Sequence, residues 1–146
     1  MVRRLLSTEV KPVIKELGAL VVPELSYWAP VNLDFLGTSW EKLCQNDACR
    51  AYGLFSVDQP VGIFLGMIVP DMNSGKLQGL EFLWTVLTKF RSRAVSLLRT
   101  FEKDCRAAGC EIVITGSSLA MAPGRMRALY AALGYRPHAE IFSKMI

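Results

Sequence analysis

The second half of the chain contains a strand, a helix and a second strand in direct succession. The apolar segments LEFLWTVL (80–87) and CEIVITG (110–116) are typical of buried strands. Between them, apolar residues recur on one face of a helix that ends at Gly109: Ala94, Leu97, Leu98, Phe101, Cys105 and Ala108. Strands joined by a crossover helix pair in parallel, so the two segments are predicted to be parallel in one sheet.

The first half predicts two helices and then an antiparallel pair of strands. The apolar spacing over 8–20 is helical, with Pro12 expected in the first turn, and 34–47 is a weaker helix. The strands 50–57 and 61–69 flank the turn signal DQP, and 80–87 continues the meander after the turn DMNSGK.

The last part predicts a second amphipathic helix and a closing strand. The helix covers 124–134, with Gly134 as its cap, and the strand covers 135–146. The predicted order is ααβββαβαβ, an α+β protein with a mixed α/β sheet and helices on both faces. A chain of 146 residues can form one domain with a sizeable core, so a single domain over 1–146 is expected.

Charge and hydropathy restrict the partners. The net charge is +4 and the pI is about 9.0, which suits an anionic partner, but no basic run is long enough to favour nucleic acid. The most apolar run, 61–69, lies between Pro60 and Pro70 and is too short to span a membrane. The first residues lack a signal-peptide core, so a cytoplasmic protein is expected.

Cysteine and histidine do not predict a metal site. The four cysteines form two C-x4-C pairs, whose spacing is at the loose end for zinc, so reduced and packed thiols are expected: Cys44, Cys49, Cys105 and Cys110. The single histidine, His138, is expected as a partly exposed residue of the last strand. No cysteine has a credible histidine partner for acyl-cysteine chemistry.

The segment KFRSRAVSLLRTFE (89–102) places arginines at the start of a predicted helix. A helix N-terminus already carries a partial positive charge, so Arg91 and Arg93 are unfavourable there unless an anion offsets them. A solvated basic turn is the alternative interpretation.

Residues 52–146 resemble the GCN5-related N-acetyltransferase (GNAT) superfamily, in particular its short bacteriophage-encoded members. KFRSRAVSLL takes the place of the phosphate loop Q/R-x-x-G-x-G/A, with Lys89 first and Ser92 and Ala94 at later loop positions. LYAALGYRPHAEIFSKMI matches the closing motif of a helix ending LY…LGY/F and a strand ending in lysine. The loop lacks glycine, and the usual first strand is expected to be missing or vestigial.

The resemblance implies a GNAT-like acyl-CoA N-acyltransferase fold that uses acetyl-CoA. Its pyrophosphate would lie on the backbone amides and cations of the loop: Lys89, Phe90, Arg91, Ser92, Arg93 and Ala94. Its pantetheine arm would pair with the third strand, where that strand splays from its parallel neighbour: Phe82, Leu83 and Trp84. Tyr130 would protonate the departing thiolate, and Glu81 is the candidate base, although water serves as proton acceptor in some members.

Two functions from different classes follow. The first is transfer of an acetyl group to a primary amine by direct attack, the acceptor being a small molecule or a protein lysine or N-terminus. The second is a catalytically silent interaction or structural protein of the same fold, such as a phage virion or host-targeting component. The apolar fraction of 51% is compatible with a homodimer.

Replacing Ser92 or Ala94 with leucine is expected to abolish acetyl-CoA binding and to preserve the fold. Both residues would lie beside the pyrophosphate and at or beyond the edge of the buried helix stripe, so a larger side chain blocks close approach without disturbing the core. Calorimetric titration with acetyl-CoA measures the affinity. Unchanged affinity in both variants would show that the segment is not the site.

Overall fold

A computed structural model describes residues 1–25, 31–116, 123–138 and 144. Its elements are β1 (Val2–Arg4), α1 (Ser7–Leu25), α2 (Leu33–Leu43), β2 (Cys49–Ser56), β3 (Gln59–Pro70), β4 (Leu77–Val86), a 3₁₀ segment (Thr88–Arg93), α3 (Val95–Ala107), β5 (Ile112–Ile114) and α4 (Pro123–Ala132). The chain divides into two compact units, Met1–Gly116 and Ser117–Ile146. All but α4 belong to the first unit.

The first unit is built on a five-stranded mixed sheet of order β1-β2-β3-β4-β5. The first three pairings are antiparallel and β4 pairs with β5 in parallel, as the strand–helix–strand pattern predicts. The mixed α+β class is confirmed. The predicted strands 50–57, 61–69 and 80–87 correspond to β2, β3 and β4, whereas the strand predicted over 110–116 is shorter, covering only Ile112–Ile114.

Helices cover both faces of the sheet. On one face, α1 and α2 bury an apolar cluster against the strands: Val10, Val13, Ile14, Leu17, Trp40, Ala51, Ile63 and Leu65. On the other face, Phe101 of α3 lies 4.9 Å from Phe64 and 6.4 Å from Tyr52, centroid to centroid. Alternation along β3 therefore sends Ile63 and Leu65 to one layer and Phe64 to the other.

The first strand exists but is only three residues long. Its partner is β2, and the N-terminal ammonium donates to Phe55 O at 2.8 Å. The first strand is therefore vestigial rather than missing. Glu9 explains why α1 then begins at once: it accepts from Leu6 N–H at 2.8 Å and pairs with Arg3, which lowers the pKa of the Glu9 carboxyl.

Two predicted helix limits are wrong for local reasons. Because α1 begins at Ser7, Pro12 lies in the second turn rather than the first. The helix predicted over 34–47 ends at Leu43, where Cys44 N–H donates to Trp40 O, and begins with the Asn32 side chain accepting from Phe35 N–H at 2.9 Å.

The predicted glycine caps are confirmed. Gly109 has φ +85°, and Cys110 N–H donates to Cys105 O at 2.9 Å, which closes the end of α3. In the second unit, Gly134 has φ +88° and Tyr135 N–H donates to Tyr130 O at 2.9 Å beyond α4. Residues 135–138 form no strand, so the predicted last strand does not begin at 135, and its remainder falls largely outside the described residues.

Replacing Gly66 with alanine is expected to destabilise the first unit by about 1–3 kcal/mol. An added Cβ would lie 2.9 Å from both Leu80 O and the Phe101 ring, and a backbone oxygen within a sheet cannot move aside cheaply. Chemical denaturation measures the free energy of unfolding. Gly116→Ala is the control, because an added Cβ there meets nothing within 4 Å, and equal stability of both variants would contradict close packing at Gly66.

Candidate functional site

The pairing of β4 with β5 stops halfway along β4. It joins Gln78, Gly79 and Leu80 to Ile112–Ile114, whereas β4 continues to Val86. Beyond Leu80, β3 flanks β4 on one side, and no described strand lies on the other. This length of β4, residues 81–86, is called the open edge below. An extended ligand can add to such an edge through main-chain hydrogen bonds.

A β-bulge lies at the start of the open edge. Leu83 pairs with Leu65 and Glu81 pairs with Gly66, so Phe82 is an extra residue on β4. The insertion interrupts strand alternation and brings Phe82 onto the layer of α2, where its ring lies 5.6 Å from that of Trp40, edge to face. Phe82 is nevertheless 57% exposed.

The three β4 residues expected beside the pantetheine arm have different surroundings. Leu83 packs against the cluster of α1 and α2, whereas Trp84 lies 6.4 Å from Phe64 on the layer of α3. The side chains of Leu83 and Trp84 therefore belong to the two cores, and the three residues share only their backbone at the open edge. Their assignment to the cofactor stays a prediction.

Glu81 lies at the point where the two strands separate. Its Oε2 accepts a hydrogen bond from Gly116 N–H at 3.4 Å, and the residue is half-buried. The carboxylate thus reaches from β4 to the chain that follows β5. A proton acceptor therefore lies at the first residue of the open edge, and the role of Glu81 as the base stays a prediction.

The basic segment after β4 is helical rather than an open loop. Phe90 N–H donates to Leu87 O at 2.7 Å, and Ala94 N–H donates to Arg91 O at 3.0 Å. A 3₁₀ helix uses its amides in such i→i−3 bonds. The segment lacks the glycine that would make a positive φ easy, and Ala94 has φ −57°. The amides of Phe90 and Ala94 are thus already engaged in hydrogen bonds.

The 3₁₀ segment and the first half of α3 carry exposed basic side chains. No acidic residue occurs between Phe82 and Phe101, while four basic residues do: Lys89, Arg91, Arg93 and Arg99. Arg93 Nη2 donates to Phe55 O at 3.2 Å, and Lys89 Nζ lies 5.8 Å from the Phe90 ring centroid. Ser92 is exposed and Ala94 is half-buried. The charge is therefore concentrated directly after the open edge, where α3 also begins.

Tyr130 is a buried residue of the second unit. It is 9% exposed and its ring meets that of Tyr135 at 5.5 Å, edge to face. This environment agrees with packing on the apolar face of α4. The acid role of Tyr130 stays a prediction.

The cysteines are free thiols. Burial raises the pKa of Cys44 to about 11 and that of Cys105 to about 12, which disfavours the thiolate. Among the described residues, no group of three or more histidine, cysteine or acidic side chains has the arrangement of a metal site. His138 is exposed and lies outside any strand, contrary to its predicted place.

A partly buried polar pair, Tyr52 and Asp104, was not predicted from the sequence. Tyr52 is 1% exposed, and its hydroxyl donates to Asp104 Oδ2 at 2.6 Å, with Arg50 Nε 3.9 Å from the same oxygen. Burial, with the nearby Asp104, raises the pKa of Tyr52 well above its usual value. The pair ties β2 to α3. The only sequence signal was a tyrosine within an apolar strand.

Comparisons with known proteins identify the fold. No protein-family model and no curated protein sequence matches the chain. Solved structures do match, among them aminoglycoside N-acetyltransferase AAC(6')-Iy with a CoA bisubstrate analogue, at 18% identity and a TM-score of 0.77 over 100% of this chain and 97% of that one. A ribosomal-protein-alanine N-acetyltransferase from Brucella melitensis matches at 19% identity and a TM-score of 0.72 over 100% of this chain and 96% of that one. A transcriptional regulator from Bacillus halodurans matches at 12% identity and a TM-score of 0.78 over 100% of this chain and 99% of that one.

These similarities confirm the predicted GNAT-like acyltransferase fold. Because the identities are below a fifth, they establish the fold and leave the activity to be argued from the site. Among the helices of the described ranges, none has both the length and the apolar character needed to cross a membrane.

Proposed function

We propose that this protein is an acetyl-CoA-dependent N-acetyltransferase that acts on a primary amine. The observation that carries the proposal is the open edge of β4, which leads directly into the cationic 3₁₀ segment. One end offers main-chain hydrogen bonds to an amide-bearing arm, and the other offers charge to phosphates. Coenzyme A combines these two features in one extended ligand.

The residues present fit this ligand with one change from the sequence interpretation. Since the amides of Phe90 and Ala94 are engaged within the chain, the side chains of Lys89 and Arg91 would supply most of the attraction for the pyrophosphate. Arg93 would also bind the pyrophosphate while it keeps its hydrogen bond to Phe55 O. AAC(6')-Iy, which has the same fold, was crystallised with CoA and with a CoA bisubstrate analogue.

The proposed reaction is direct transfer. The bound acetyl-CoA supplies an activated acetyl thioester. The C–N bond of the product amide forms as the C–S bond breaks, the amine loses a proton to Glu81 or to water, and Tyr130 gives a proton to the leaving thiolate. Glu81 is half-buried at the start of the open edge, which suits a carboxylate that acts as proton acceptor there.

A catalytically silent protein of this fold is the second candidate. The engaged amides of the 3₁₀ segment favour it, and so does the fold similarity to a transcriptional regulator. In this case the cationic segment would be a solvated surface. Origin in a bacteriophage, a cytoplasmic location and a homodimer stay predictions under either function.

Acetyl-CoA is expected to raise the thermal unfolding temperature of the wild-type protein. A ligand at one hundred times its Kd stabilises the folded state by about 2.7 kcal/mol. Lys89→Glu is expected to weaken binding at least about tenfold, because it reverses a charge next to the pyrophosphate. Calorimetric titration measures both affinities.

Lys103→Glu is the matched control, since it makes the same charge change at an exposed position of α3 away from the open edge. Absence of any stabilisation at millimolar acetyl-CoA would exclude the enzyme and favour the silent protein. Equal losses of acetyl-CoA affinity in Lys89→Glu and Lys103→Glu would indicate a general electrostatic attraction rather than a binding site at the 3₁₀ segment.

Glu81→Gln and Tyr130→Phe are each expected to lower kcat about a hundredfold and to leave acetyl-CoA affinity unchanged. Both replacements keep the shape of the side chain and remove its proton transfer. Thiol release from acetyl-CoA measures the rate. The controls are Glu111→Gln, in an exposed ion pair with Lys76, and Tyr135→Phe, beside Tyr130. Full activity of Glu81→Gln and Tyr130→Phe would be compatible with the proposed acetyl transfer but would exclude Glu81 as the proton acceptor and Tyr130 as the proton donor.

A further inference from the structure

The end of α3 is closed by a complete Schellman cap, and cysteine occupies both of its contact positions. Cys110 N–H donates to Cys105 O at 2.9 Å, and Gly109 N–H donates to Arg106 O at 3.1 Å. Gly109 has the left-handed φ of +85° that this cap requires. In such a cap the side chains of the two residues that share the outer hydrogen bond characteristically meet. Cys105 and Cys110, both free thiols, hold those two positions.

The backbone keeps these two cysteines within the span of a disulfide. A Cα atom lies about 2.4 Å from the carbonyl oxygen of its own residue and about 1.5 Å from its own nitrogen. Joined through the 2.9 Å hydrogen bond, the Cα atoms of Cys105 and Cys110 are therefore at most about 6.8 Å apart. Disulfides usually join Cα atoms that are about 4.4–6.8 Å apart, so the cap holds the pair within that limit.

The same cap at the end of α4 shows that its contact positions do meet in this chain. There Tyr135 N–H donates to Tyr130 O at 2.9 Å, and the two rings lie 5.5 Å apart, edge to face. At the end of α3, burial is the main cause of the raised pKa of the Cys105 thiol, and the nearby Cys110 thiol adds to it. The two thiols are therefore neighbours.

The two thiols differ in their accessibility. Cys105 is 1% exposed, and its Sγ packs so closely on β4 that a Cβ added at Gly79 would collide with it. Cys110 is half-buried. A small oxidant therefore reaches Cys110 first, and Cys105 can then react from within the protein. The proposed acetyl transfer uses neither thiol.

We propose that Cys105 and Cys110 form a dithiol that a low-molecular-weight disulfide, such as oxidised glutathione, converts to an intramolecular disulfide. The Cys110 thiolate attacks one sulfur of the small disulfide, so that a mixed disulfide forms and one small thiol leaves. Cys105 then gives up its proton, and its sulfur attacks that of Cys110 and displaces the second small thiol. Two protein thiols are oxidised, and one small disulfide is reduced to two thiols.

Burial of Cys105 affects how long the link lasts. Some protein disulfides are strong oxidants because their reduced form is stabilised, whereas a buried thiol with a raised pKa gains no such stabilisation as a thiolate. The link is therefore expected to persist until a reductant such as dithiothreitol removes it. It would tie the end of α3 to the start of β5, which begins two residues later at Ile112. The inference does not rest on the proposed acetyl transfer.

The other C-x4-C pair has the same spacing without the cap. Cys49 N–H donates to Asn46 O at 3.0 Å rather than to Cys44 O, and no glycine lies between the two cysteines. Equal spacing in the sequence therefore does not give equal backbone geometry. Because Cys44 is half-buried like Cys110, Cys44→Ser is the matched control for Cys110→Ser.

The test is incubation of the full, folded chain with oxidised glutathione, followed by trypsin digestion without reduction and by mass spectrometry of the monomer. Trypsin cuts after Lys103, Arg106 and Arg125, so peptides 104–106 and 107–125 stay together only through a disulfide between Cys105 and Cys110. The linked peptides are expected in the wild type and in Cys44→Ser, and dithiothreitol is expected to separate them. They are expected to be lost in Cys110→Ser.

Thermal unfolding of Cys44→Ser before and after oxidation gives a second measurement. The oxidised form is expected to unfold at the higher temperature, because the link closes a loop whose ends already meet. Glutathione attached to Cys110 without the linked peptides would overturn the proposal, since Cys105 would then fail to reach Cys110. It would also be overturned by thiols that react only in denaturant, by a disulfide confined to peptide 43–50, which contains Cys44 and Cys49, or by a lower unfolding temperature after oxidation.

Discussion

The contact between Phe101 and the glycines of the sheet holds the first unit together around its site. A Cβ at Gly66 would collide with the Phe101 ring, and one at Gly79 would collide with Cys105 Sγ and crowd the same ring, so the two glycines let α3 lie directly on β3 and β4. The same ring meets Phe64 and Tyr52, which anchors the helix across three strands. The 3₁₀ segment continues into α3, so the packing of α3 on the sheet also determines where the basic side chains of that segment lie.

The bulge, the open edge and the cationic segment occupy one continuous stretch of chain. Gly66 is the partner of Glu81, so the close approach of α3 and the extra residue on β4 occur at the same level of the sheet. Beyond that level β5 no longer accompanies β4. The β-bulge therefore lies where the pairing of β4 with β5 ends, and it includes the exposed Phe82 and follows Glu81.

Features with a clear periodicity were predictable from the sequence. The stripe of α3 and its Gly109 cap located the crossover helix, and hence the parallel pair of β4 and β5. The bulge was not predictable, because the letters EFLWT contain no residue that requires it and only the opposing strand reveals the register. The Tyr52–Asp104 bond joins residues 52 positions apart, a distance at which local patterns carry no information. The site roles of Glu81 and Tyr130 remain predictions.

The helical form of Thr88–Arg93 has a consequence for how an anion would be held. Backbone amides in a rigid nest are partly shielded from the solvent, whereas exposed side chains such as Lys89 and Arg91 share their surroundings with dissolved ions. At about 0.1 M ionic strength, charges of this kind are screened beyond roughly 10 Å. Attraction of phosphates to this protein would therefore depend strongly on the salt concentration of its surroundings, more than in a protein whose glycine-rich loop presents amides.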